Sequence, residues 1–95
     1  MESFELIQYL KNKRRELSHA LQESKKRGIA LADAERQYKK EKAKFIAKAR
    51  LEKVAVTLIG DLAKGHPEIS ELRHKRDVAK VLYWNAQEAI NVYKL

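Results

Sequence analysis

Lysine and arginine gather in three stretches of the chain: Lys11, Lys13, Arg14 and Arg15; then Lys25, Lys26 and Arg27; then Arg36, Lys39, Lys40, Lys42, Lys44, Lys48 and Arg50. Cationic side chains strung along a helix neutralise phosphates without reading bases, and such binding weakens steeply with salt because it releases counterions. The same residues can also serve as a solvated helix exterior. The phosphate-contact candidates are Lys25, Lys26, Arg27, Arg36, Lys40 and Lys44. No aromatic-bearing ribonucleoprotein signature accompanies them; Tyr38 and Phe45 lie nearby at spacings that assign them to a packed seam.

Other chemistries find no matching constellation. His19, His66 and His74 are the only histidines and there is no cysteine. No two histidines share one helix turn, so no metal site is expected. Gly60 and Gly65 have the spacing of a phosphate-binding loop, but His66 and Pro67 stand where it needs Lys and Ser/Thr. Glu68 with Glu71, or Asp61 with His66, would need a water-poor cleft to do acid–base work. A narrow helical protein offers little of that kind. The expectation is no enzyme, no catalytic residue, no cofactor and no small-molecule substrate. Residues 57–73 superficially resemble a helix-turn-helix, but Lys64 and Glu71 occupy positions that such a pair would pack with apolar groups. Trp84 projects onto the polar side of its helix beside Arg73, Asp77, Lys80, Glu88 and Asn91. Trp is enriched at interface hot spots, which marks Trp84 as a partner-contact candidate.

These side chains must be carried by a short chain. Its 95 residues allow one domain. Three glycines and one proline are too few for an all-β fold. The absence of cysteine excludes a disulfide scaffold and is consistent with a reducing compartment. No window is long and apolar enough for a membrane span, and the acidic start Met1-Glu2-Ser3-Phe4-Glu5 does not read as a secretory signal. The net charge is +8. Residues 1–28 contribute +3, residues 29–53 contribute +4 and residues 54–95 only +1. A basic field confined to one half of a small protein attracts polyanions.

Apolar residues recur at helical spacing through most of the chain. The pattern predicts helices over about 3–27, 31–53, 57–64 and 67–94. Leu6, Ile7, Leu10, Leu17 and Leu21 form the first stripe, with Arg14 inside it. Lys25-Lys26-Arg27-Gly28 is a helix stop signal. Yet Leu10, Leu17, Ser24, Leu31, Tyr38 and Phe45 keep a seven-residue spacing across Gly28. Gly28 therefore either breaks the helix or is a weak point within it; the stop signal favours the break. The second helix has a narrow apolar stripe of Leu31, Ala34, Tyr38, Phe45 and Ala49, as in a coiled-coil seam. Thr57 is the expected cap of the short third helix, and Pro67 suits the first turn of the last. That last helix has a wide apolar arc: Leu72, Ala79, Tyr83, Ala86, Ile90 and Tyr93 on one side, Val78, Val81, Leu82, Ala89 and Val92 on the other. Such an arc needs more than one neighbour. The predicted fold is all-α, an elongated helical hairpin or three-helix bundle with coiled-coil character, its last helix antiparallel to the earlier ones, forming a homodimer.

The runs Asp61-Leu62-Ala63-Lys64-Gly65, Glu71-Leu72-Arg73, Lys75-Arg76-Asp77-Val78-Ala79 and Ala86-Gln87-Glu88-Ala89-Ile90-Asn91-Val92-Tyr93-Lys94 resemble small helical proteins of Firmicutes phages and prophages. So do Arg27-Gly28, Ala34-Glu35-Arg36 and Tyr38-Lys39. The matching features are helical packing patterns, so the resemblance implies a context and carries no catalytic residue across. That context is phage early genes for replication and recombination, in the cytoplasm of the bacterial host. The expected function is a non-catalytic accessory protein binding nucleic acid through its basic helical surface. The alternative is an adaptor, or an inhibitor of a host defence or replication protein, acting through Trp84.

Overall fold

The computed structural model describes residues 2–93 and consists of three helices: α1 (Ser3–Leu51), α2 (Val56–Gly65) and α3 (Pro67–Asn91). They form an elongated all-α hairpin, 75 Å long and 18 by 16 Å across. A helix rises ~1.5 Å per residue, so the 49 residues of α1 alone account for that length.

The expected break at Gly28 does not occur. Helix α1 runs straight through it, and no glycine has a positive φ. The local stop signal is overridden by tertiary packing. A Cβ built on Gly28 would lie 3.8 Å from the Tyr83 ring, so the glycine is the place where α3 sets an aromatic ring against the α1 backbone. That distance is ordinary van der Waals contact, and alanine should fit without displacing Tyr83. Alanine is favoured over glycine inside a helix by ~1 kcal/mol. Gly28→Ala is expected to raise the thermal midpoint by about 4–8 °C, the usual response of a domain of this size to ~1 kcal/mol. A lowered midpoint would show that Tyr83 needs the bare backbone.

The true end of α1 lies near residue 51. Lys53 takes a left-handed conformation at φ 59°. Its N–H donates to the Arg50 carbonyl at 3.1 Å, and the Val54 N–H donates to the Ala49 carbonyl at 3.0 Å. This pairing is a Schellman closure, which satisfies carbonyls left over at a helix end. Half-buried Val54 folds back on buried Ala49, and Lys48 and Arg50 in the last turn complement the helix dipole.

Helix α2 begins at Val56 with no side-chain cap. Thr57, expected to cap it, is already inside its first turn; the Leu58 N–H instead donates to the Ala55 carbonyl at 2.9 Å. Extended His66 then joins α2 to α3, as the residue before a proline prefers. Pro67 stands in the first turn of α3, as expected. That helix ends at Asn91, short of the predicted 94, and Lys94 lies outside the described residues.

Helix α3 packs antiparallel on α1. Tyr93 Oη donates to Glu16 Oε2 at 3.4 Å and Gln87 Nε2 to Ser24 Oγ at 2.6 Å. Further along, Arg76 stacks on the Tyr38 ring at 4.6 Å and the rings of His66 and Phe45 lie 5.1 Å apart. The core is a thin seam of Ser24, Tyr38, Ala49, Ala86 and Ile90, thickened at one end where α2 adds Ile59 and Ala63 beside Ile69. At the other end, residues 3–15 of α1 project past α3 and are exposed throughout.

Candidate nucleic-acid interface

Because α1 is one helix, basic residues that a break would have pointed in different directions share one rod. At 100° per residue, Lys11, Arg15, Lys25, Lys26, Arg36, Lys40, Lys44 and Arg50 project on the side turned away from α3. All are exposed. Asp33 is the one acidic side chain within that arc. Apart from Glu5, which lies beyond α3, the other acidic residues of α1 lie towards or beside α3, among them Glu16 and Glu23, which are hydrogen-bonded to Tyr93 and Arg27. From Lys11 to Lys44 the stripe runs roughly 50 Å along the helix axis. That length corresponds to about fifteen base pairs of duplex at ~3.4 Å each.

The six candidate residues do not share one fate. Lys25, Lys26, Arg36 and Lys40 are exposed, and among the described residues they form no ion pair. Lys44 is also exposed but makes a 3.4 Å pair with Glu41 one turn away. Exposed pairs of this kind are worth little, so Lys44 remains free to exchange partners. Arg27 is a correction. It is half-buried, its Nε donates to Glu23 Oε1 at 3.0 Å, and its Nη1 donates to the Leu82 carbonyl at 3.0 Å. Its guanidinium ties α1 to α3 and leaves the phosphate-contact set.

Lys11 and Arg15 take its place. Together with Ser18, His19 and Gln22 they line a shallow groove along the exposed part of α1. Their spacing, at 11, 15, 18 and 22, already carried the signal: it is the spacing of a single helix face. The leucines at 10, 17 and 21 drew attention to an apolar stripe instead.

Trp84 is 59% exposed on α3, with the Lys80 ammonium 5.8 Å from its ring centroid. It is not part of the α1 basic face. Two turns earlier on α3, Arg76 Nε and Nη2 donate to Asp77 Oδ1 at 3.1 and 2.9 Å. Those bonds hold the Asp77 carboxyl below its ordinary pKa.

A concavity of about 630 Å³ lies between α1 and the corner joining α2 to α3; Lys44, Lys48, Asp61, His66 and Glu68 line part of it. His66 Nδ1 is buried there without a hydrogen-bond partner. The cleft mixes both signs of charge and is open to solvent. Among the described residues no three His, Asp or Glu side chains are placed to hold a metal ion, and no helix is long and apolar enough to cross a membrane.

No protein-family model matches the chain, and comparison with curated proteins and with solved structures gives no match.

Proposed function

We propose that the chain is a non-catalytic nucleic-acid-binding protein whose ligand lies along the outer face of α1. The observation that carries this reading is the segregation of charge on an uninterrupted helix, with basic residues on the free side and most carboxylates on or beside the packed side. Lys25, Lys26, Arg36 and Lys40, with Lys11, Arg15 and Lys44, contact phosphates. The face offers few aromatic rings for base stacking, so recognition is by backbone charge and weakly dependent on sequence. The resemblance to small phage proteins suits a role in replication or recombination, in the cytoplasm of a bacterial host.

Fluorescence anisotropy with labelled single- and double-stranded DNA and RNA tests this reading. Seven phosphate contacts predict a log–log salt slope of about −6 on duplex DNA, and a loss of at least a thousandfold in affinity between about 50 and 200 mM salt. Absence of binding at low salt would overturn the proposal. It would favour the second reading, a helical adaptor or inhibitor of a host protein, which rests on the exposed Trp84 ring and would use the basic face to steer encounter.

A further inference from the structure

Among the described residues, 3–15 of α1 are exposed throughout, yet their sequence continues the pattern that α3 covers lower down. Ser3, Ile7, Leu10, Arg14, Leu17, Leu21, Ser24, Gly28 and Leu31 alternate four- and three-residue steps without a gap, the spacing of a two-helix seam. Where α3 is present, Ser24 is buried and Leu17, Gly28 and Leu31 are half-buried, while Leu21, at the edge of the row, stays 50% exposed. Beyond α3 the same row lies open, with Ile7 52% and Leu10 53% exposed and Phe4 and Leu6 exposed beside them. A helical segment of about thirteen residues gains little stability by itself in water.

We propose that a second copy of this chain covers the arm, with the two arms antiparallel about a two-fold axis between Gln8 and Tyr9. Charge selects this occupant and this direction. Glu2 and Glu5 lie at the tip of the arm, and Lys11, Lys13, Arg14 and Arg15 at its root. Antiparallel self-pairing sets each acidic tip against the partner's basic root. Parallel pairing would set Arg14 against Arg14 inside the seam. In the antiparallel register Ile7 meets the partner's Leu10 on both sides of the axis. Arg14 meets the partner's Ser3, a small residue beside Glu2. The partner's arm then continues along α1 in line with α3, and the dimer is longer than either chain.

The inference is independent of the nucleic-acid reading, and its test uses no nucleic acid. Sedimentation equilibrium of the full chain should give a dimer, and Ile7→Asp with Leu10→Asp should weaken it at least tenfold while the hairpin beyond residue 15 keeps its helicity and thermal midpoint, since both side chains are exposed in the single chain. The chain has no cysteine, so single spin labels can be placed through Gln8→Cys and Gln22→Cys. The antiparallel register predicts a separation within about 20 Å for Gln8 labels and about 40 Å for Gln22 labels. Short distances at both sites would mean parallel arms and would overturn the register. A wild-type monomer would overturn the proposal. So would a dimer that survives the arm substitutions but is lost in Leu82→Asp, which would place the interface on the outer stripe of α3.

Discussion

Replacing Lys25, Lys26, Arg36 and Lys40 together with glutamine is expected to lower nucleic-acid affinity at least a hundredfold near physiological salt. The magnitude follows from counterion release. Each phosphate contact contributes about 0.9 to the logarithmic salt slope on duplex DNA, which at ~0.15 M salt is roughly 0.7 log units of affinity. Four contacts therefore carry about three orders of magnitude, and the hundredfold limit allows one of the four to lie off the ligand. The slope itself should fall by three to four, about one for each contact removed. Anisotropy titrations at several salt concentrations measure both quantities. The four side chains are exposed and free of ion pairs, and glutamine is nearly as good a helix former as lysine or arginine, so the circular dichroism spectrum should not change. A variant that keeps its slope would remove the outer face of α1 from the ligand. Arg27→Gln is the contrasting case. Its hydrogen bonds to Glu23 and to the Leu82 carbonyl hold the hairpin together. Its loss should cost about 1–2 kcal/mol of stability and leave the salt slope nearly unchanged.

The contrast between Arg27 and its neighbours marks the limit of what the sequence could disclose. Residue type and helical spacing mark Lys25, Lys26, Arg36 and Lys40 as exposed cations, and they are exposed; their alignment on one face depends on α1 continuing through Gly28, where the stop signal predicts a break. Arg27 belongs to the same run, but its partner is a backbone carbonyl 55 residues away, and nothing local distinguishes it from Lys26. Gly28 shows two signals in conflict. The cation-rich turn followed by glycine is a local stop; the seven-residue spacing from Leu10 to Phe45 is a statement about a partner helix. The spacing prevails because α3 supplies the contacts that make a continuous α1 worthwhile, among them Tyr83 against Gly28 and Gln87 on Ser24. Thr57 erred the other way. A good capping residue stood one position inside the helix, and backbone hydrogen bonding around Ala55 set the start. Trp84 was legible because exposure on one side of an amphipathic helix depends on phase, and the phase of α3 was readable over its whole length. The wide apolar arc of α3 also survives as a feature, since Val78, Val81, Leu82 and Val92 remain exposed in the single chain.

The seam has one position on which the rest of the molecule depends. Tyr38 is 8% exposed, with Arg76 stacked 4.6 Å from its ring centroid and the Lys42 ammonium 5.6 Å away. It stands where α1, α2 and α3 converge, near Ala63 and Ile69. Tyr38→Ala should cost about 3–5 kcal/mol, the usual penalty for emptying a buried aromatic site, with ~1 kcal/mol of that from the lost cation–ring contact. Small domains are stable by only about 5–15 kcal/mol, so a thermal melt followed at 222 nm should shift down by more than about 12 °C. Tyr38→Phe keeps the ring and its cationic neighbours and should melt within a few degrees of the native chain. A large shift in both variants would assign the effect to the hydroxyl instead. The two variants also bear on the ligand face. Tyr38 points away from the phosphate-contact residues, so its loss can weaken binding only by loosening the rod that aligns them. Tyr38→Ala should therefore lose affinity in step with lost helicity and regain it on cooling. The lysine and arginine substitutions lose affinity with the helix intact, and cooling does not restore it.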